Sequence, residues 1–369
     1  MGPLPPPIGG VETFTQALLE SPVLARFDVR HCDITKGRPK DTQGRFDAGN
    51  FVWATRHFAR MSRAVTGFDP DVAYIAISGS WSGFLRDAGL GWIARRSRAR
   101  VIGHQHAGDI ADQLARRGLG GRLVRGGFAQ FHRLLVLGER WRAPFVEYGI
   151  TQPIEVCPST FRREVLERAG DAIRSRRADT LPRLLFVGQV GRRKGILDLL
   201  DSLARLRANG IELSLTVVGP AQAPGELQLA FEHAQALALD TVAFTGPLTG
   251  EPLYDQFRRH DAFVLPSYNE GIPAVLYEAG AFGLAVVTTP VGGIPDLIRD
   301  QVNGLLVPPR DGAALDAALA RLARAPEERL RYARQLNQDI AAFHPDRVAE
   351  RVANAVDAEL ALASGHSAR

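Results

Sequence analysis

Cysteine occurs only twice, as Cys32 and Cys157. Two thiols so far apart cannot frame a disulfide scaffold or a thiolate metal site, which makes a reducing compartment the default. No stretch reaches the roughly 18 apolar residues that a membrane-spanning helix requires. The opening "MGPLPPPIGG" has neither a charged n-region nor an apolar h-region, so it reads as no export signal, and a cytoplasmic protein is expected. Two phosphate-binding spacings are also missing. No G-x-x-x-x-G-K-[ST] occurs, and no G-x-G-x-x-G follows a strand, which argues against nucleoside triphosphate hydrolysis and against NAD chemistry.

The 369 residues, 45% of them hydrophobic, suffice for two ordinary domains with packed cores. Charge is divided unevenly. Residues 1–180 hold 27 Lys and Arg against 18 Asp and Glu, whereas the remainder holds 18 against 22. The basic half suits an anionic partner.

From "LPRLLFVG" to "NGLLVPP", short apolar runs bounded by Gly and Pro alternate with segments of helical period. That alternation reads as βαβ units on a buried parallel sheet. The first half repeats it less clearly, with strands expected at "FDVRHC", "VAYIAIS", "RVIGHQH", "RLLVLG" and "IEVCPS" and helices over 11–19, 51–65 and 81–95. The expected fold class is α/β, with two Rossmann-like doubly wound domains. They span 1–170 and 181–340, joined by an Arg-rich connection near 169–180. Residues 341–369 form an amphipathic helix that packs back, ending in a disordered tail. In such a fold an apolar strand should precede the first glycine loop, yet only "MGPLPPPI" stands before Gly9, so the first strand reads as missing.

Ligands of open α/β sheets bind beyond the carboxyl ends of the strands. After the strand "AFVLPS" comes "YNEGIPAVLYEAGA", which places Glu270 on a loop with Gly271 and Ile272, Pro273 and Ala274 at a helix start, and Glu278 about one and a half turns inside. The positive end of that helix suits a diphosphate, and carboxylates are good acceptors for vicinal hydroxyls. A second loop, "FVGQVGRRKGI", leaves a strand at Gly188 and brings Arg192, Arg193 and Lys194 to free backbone N–H groups, a phosphate-binding arrangement. Paired glycines stand at Gly9 and Gly10 and again in "TPVGGIPDLI". "GHQHAGD" sets His104 and His106 on one strand face with Asp109 beyond, but no third ligand is spaced for a metal, and none is expected.

These segments together resemble the retaining nucleotide-sugar glycosyltransferases of family 4, the glycosyl transferases group 1, which have the GT-B fold of two Rossmann-like domains facing across a cleft. The likeness is close from about Leu184 to Asp311 and looser in "PPIGGVE", "HQHAGD" and "EVCPSTF". Glu270 and Glu278 match the family's E-x7-E pair. The resemblance implies that Glu270 lies by the donor sugar and Glu278 binds the nucleotide ribose. It further implies that Lys194 binds the diphosphate, that Gly9 and Gly10 approach the phosphates, and that His106 lies near the transferred sugar. Gln189 stands where the family usually has Arg, and Ser159 and Ala274 where it usually has Asn; Arg192 or Arg193 is the replacement expected for the lost charge.

The implied reaction moves a sugar from a nucleoside diphosphate sugar to a hydroxyl of a glycan or lipid-linked acceptor, as in cell-surface polysaccharide or glycolipid synthesis. The anomeric configuration is retained, and neither metal nor cofactor takes part. Two alternatives share the fold: a non-catalytic sugar-nucleotide-binding or scaffold subunit, and a sugar-nucleotide epimerase. Nucleic acid is not an expected partner. "GLGWIARRSRAR", followed by Arg116, Arg117, Arg122 and Arg125, suits peripheral binding to an anionic membrane surface.

Overall fold

A computed structural model describes residues 1–5, 9–34, 48–106, 110–176 and 181–367. The chain divides into two compact units, the first made of Met1–Arg162 and Phe343–Arg369, the second of Arg163–Ala342.

In the first unit, helices α1 (Gly10–Leu19) and α2 (Ala48–Phe68) precede strand β1 (Val72–Ile77). Then come α3 (Trp81–Arg96), β2 (Arg100–Gln105), α4 (Ile110–Leu114), α5 (Gly118–Phe128), β3 (Arg133–Val136), α6 (Glu139–Glu147) and β4 (Ile154–Val156). The four strands are parallel and lie in the order β1-β2-β3-β4.

The expected strand "FDVRHC" does not form. The residue just after it, Asp33, makes one isolated bridge, to Gly2. Met1 and Gly2 occupy the adjoining position: the Met1 ammonium donates to the Tyr74 carbonyl (2.6 Å) and Ala76 N–H donates to the Met1 carbonyl (3.0 Å). Residues 27–32 form no strand.

In the second unit α7 (Arg163–Ala169) leads into β5 (Leu184–Val187), α8 (Ile196–Ala208), β6 (Leu215–Val218), α9 (Glu226–Ala236), β7 (Val242–Gly246) and α10 (Glu251–Arg259). The chain continues through β8 (Ala262–Leu265), α11 (Ala274–Ala281), β9 (Ala285–Thr288), α12 (Ile294–Leu297), β10 (Leu305–Leu306), α13 (Gly312–Arg324) and α14 (Pro326–Asp339). All strands are parallel, in the order β10-β9-β8-β5-β6-β7. This is the doubly wound arrangement, and its order reverses between β5 and β8. β8 and β9 are fully buried runs of Ala, Val, Leu, Phe and Thr, as a sheet covered on both faces demands.

The first unit ends at Arg162, earlier than residue 170, because α7 packs on α10 and α11. Arg176 secures the same join: its guanidinium donates to the carbonyls of Phe257, His260 and Phe282. The end of the expected connection, residues 177–180, lies outside the described residues, as do Asp109 and the last two residues of the tail. The C-terminal helix α15 (Pro345–Ser367) packs on the first unit. There Val348, Ala349, Val352 and Ala355 join Phe14, Leu18, Ile102, Leu135 and Cys157 in one core, and Glu359, fully buried, binds Arg100 and Arg133.

Candidate donor-sugar site

The second unit sets two loops side by side at its switch point. The first, after β5, runs through Gly188 and Gln189 to a 3-10 turn, Arg192–Lys194, before α8. The second, after β8, carries Ser267 to Pro273 into α11. Gly195 adopts φ +71, and a Cβ there would lie 2.1 Å from the Pro266 carbonyl oxygen, so only glycine lets α8 start this close to β8. The Tyr268 N–H donates to the Arg193 carbonyl (2.9 Å), which ties the loops together.

Between them Lys194 and Glu270 form an ion pair, with side chains only 13% and 9% exposed. Ser267 Oγ donates to the same carboxylate oxygen (2.7 Å). Ser267 is in turn held where Thr289 Oγ1 donates to its carbonyl (2.6 Å). The loop between β9 and α12 closes the arrangement from behind: Gly293 N–H donates to the Gly271 carbonyl (2.8 Å), and a Cβ on Gly292, at φ +56, would fall 1.9 Å from the Glu270 carbonyl oxygen.

Pro273 is the N-cap of α11 and Ala274 its first residue, one position later than a proline inside the helix would give. Proline offers no side-chain acceptor, so no side chain of the N-cap satisfies the first-turn N–H groups, and the positive end of the helix follows directly on Gly271 and Ile272. Glu278, 8% exposed, lies one turn further in.

Three consecutive residues of a 3-10 turn point in three directions. Arg192 and Arg193 accordingly line a pocket of about 720 Å³ whose lining includes neither Lys194 nor Glu270.

The remaining expected residues belong to the first unit. Gly9 is the N-cap of α1 and Gly10 its first residue. His106 follows β2, its ring 4.0 Å from that of His104 and 4.6 Å from that of Phe14. Its Nε2 is buried with no hydrogen-bond partner among the described residues, and burial holds the imidazole well below its ordinary pKa. His104 is fixed by Tyr74, whose hydroxyl donates to Nδ1 (2.6 Å), while Nε2–H donates to the Cys157 carbonyl (2.9 Å). Burial lowers its pKa to about 3. A neutral His104 with both nitrogens engaged is a support, not a metal ligand. Among the described residues no three His, Cys, Asp or Glu side chains cluster as ligands for an ion.

Sequence reasoning missed Ser267, whose only signal is its place three residues before Glu270. It also gave no sign that the Gly292–Gly293 pair backs the Glu270 loop.

Residues 171–338 match the family model described as glycosyl transferases group 1. The second unit belongs to that family. Over 268 residues the chain is 31% identical to a D-inositol 3-phosphate glycosyltransferase of Salinispora tropica, covering 68% of this chain and 52% of the relative. It spans about half the length of the curated relatives it matches. Among solved structures it is similar to sucrose-phosphate synthase (tll1590) from Thermosynechococcus elongatus, with TM-score 0.73 at 19% identity over 98% of this chain and 96% of that one. It is also similar to Anabaena Alr3699/HepE in complex with UDP-glucose, with TM-score 0.64 at 15% identity over 85% and 90%. At such identities the likeness is one of fold, and it shows the class as GT-B, with two Rossmann-like units of which the second is the group 1 domain.

Proposed function

We propose that this chain is a retaining glycosyltransferase that moves a hexose from a nucleoside diphosphate sugar to a hydroxyl of a glycan or lipid-linked acceptor. The observation that carries this is the Lys194–Glu270 pair beside the uncapped start of α11, at the switch point of a group 1 domain. The Lys194 ammonium and the first-turn N–H groups of α11 bind the diphosphate. Glu278 accepts from the ribose hydroxyls, and Glu270, oriented by Ser267 and Lys194, faces the sugar.

In the reaction the bond from the anomeric carbon to the diphosphate oxygen breaks, and the acceptor oxygen bonds to that carbon on the same face. The acceptor proton passes to the departing diphosphate oxygen. Negative charge grows on the leaving group, where Lys194 and the helix dipole stabilise it without a metal. Incubating the protein with a panel of nucleotide sugars and following products by NMR tests this. The expected result is slow release of sugar without acceptor, faster transfer with one, retained anomeric configuration and no effect of EDTA.

A second part of the reading concerns the acceptor. On α3 Trp92 is exposed, with the Arg96 guanidinium 4.6 Å from its ring. On α5 Leu119 and Leu123 are exposed one turn apart, with Arg116, Arg117 and Arg122 also exposed. Apolar side chains flanked by cations suit an anionic bilayer surface carrying a lipid-linked acceptor. Arg100 and Arg125 are not part of this face: Arg100 binds Glu359, and Arg125 donates to the carbonyls of Leu114 and Arg116. Among the described residues no helix is long and apolar enough to cross a membrane.

A further inference from the structure

The pocket of about 720 Å³ lined by Arg192 and Arg193 plays no part in the transfer chemistry above. Its wall on α8 presents Leu197, Asp198 and Asp201. Asp201 is 2.6 Å from His233 Nε2 of α9, and the Tyr268 hydroxyl donates to Asp198 (2.7 Å). Opposite charges gather at the mouth. The Arg310 guanidinium lies 4.7 Å from the centre of the Tyr268 ring, and Arg192 and Arg193 are exposed with no carboxylate in ion-pair reach among the described residues. Arg310 itself has φ +65, a left-handed conformation that residues with side chains adopt at a cost and that clusters at ligand sites. A guanidinium therefore stands on a turn whose backbone suits glycine.

Three cations, two carboxylates and the Asn269 amide fit a ligand that bears both an anion and several hydroxyls. We propose that this pocket is a second saccharide site, separate from the donor site, which takes a sugar unit carrying a phosphate or a carboxylate. Arg192, Arg193 and Arg310 bind the anion, while Asp198, Asp201 and Asn269 bind ring hydroxyls. The site stands on its own geometry and does not depend on the proposed transfer reaction.

Isothermal titration calorimetry of the full chain with galactose 6-phosphate, galacturonate, galactose and inorganic phosphate tests the assignment. At least one anionic sugar binds, the tighter of the two identifying the anion, and both galactose and inorganic phosphate bind about tenfold more weakly or worse. Arg310→Gly suits the turn, leaves the unfolding temperature no lower, and weakens the anionic sugar by about tenfold or more. Tyr268→Leu, which removes the support under that guanidinium, weakens it as well. Glu278→Gln leaves it unchanged. Equal binding of galactose or of inorganic phosphate, wild-type affinity in Arg310→Gly, or loss of binding in Glu278→Gln would each overturn the proposal, the last by placing the sugar in the donor site.

Discussion

Lys194 and Glu270, 76 positions apart in sequence, form an ion pair across the point where the strand order of the second unit reverses. Each makes the other's burial tolerable, since an isolated buried charge costs several kcal/mol. Under the proposed transfer, the pair also fixes the Lys194 ammonium in advance of the negative charge on a leaving diphosphate.

From that geometry three substitutions should separate. Lys194→Ala is expected to lower kcat by roughly two orders of magnitude, the usual cost of losing a preorganised charge-stabilising group. Glu278→Gln should mainly raise the donor KM, because a ribose contact worth about 1.5–3 kcal/mol is shared by ground and transition states. Glu270→Ala should fall between them and alter sugar preference. Steady-state kinetics with one donor and its epimers checks all three, and full kcat in Lys194→Ala would remove the assigned mechanism.

Gly292→Ala tests how the Glu270 loop is held. The new methyl would lie 1.9 Å from the Glu270 carbonyl oxygen, on a backbone at φ +56 that alone costs about 1–2 kcal/mol for a residue other than glycine. Relief of the clash requires the loop to move, so both the unfolding temperature and kcat should fall. A variant with wild-type stability and rate would show that the loop does not need this support.

Much of this was readable beforehand. The second unit's strands followed from short apolar runs such as "AFVL" and "AVVT" bounded by Gly, Pro and Asp, since length and flanking breakers, not periodicity, separate a strand buried on both faces from a helix. Glu270, Glu278 and Lys194 stood out by their place after strands. The first unit was harder: "FDVRHC" has strand composition, yet residues 27–32 pair with no strand, and composition alone does not report pairing. Nor could spacing reveal that Arg100 is consumed by Glu359, or that Arg310 reaches Tyr268, since those partners meet only through the fold.

The exposed face of α3 and α5 makes a quantitative prediction for membranes. Arg96, Arg98, Arg116, Arg117 and Arg122 are exposed, and each cation near an anionic surface contributes about 1 kcal/mol. Co-sedimentation with vesicles containing anionic lipid should exceed that with neutral vesicles and decline with added salt. Replacing Arg116, Arg117 and Arg122 together by Glu should abolish the preference, whereas Arg125→Gln should instead lower thermal stability by uncapping α4. Equal recovery from neutral and anionic vesicles at low salt would remove the membrane from the reading.

Stability of the first unit should depend on pH through His104. Burial lowers its pKa from the ordinary 6.5 to about 3, and that of His106, whose ring lies 4.0 Å away and tilted, is lowered by the same cause. Between those values the unfolded chain binds a proton that the folded chain refuses, so stability rises with pH there and is complete above about 6.5. Acidification from pH 7 towards 4 should therefore progressively lower the unfolding temperature of the wild type. Substituting His104→Gln, which keeps a polar side chain in reach of Tyr74 and Cys157 but cannot titrate, should lower stability at pH 7 by about 1–3 kcal/mol through imperfect hydrogen bonds. It should also flatten the acid slope relative to wild type. Calorimetric unfolding of both proteins across this pH range decides the matter, and an equal slope in the two would show that His104 is not the group that resists the proton.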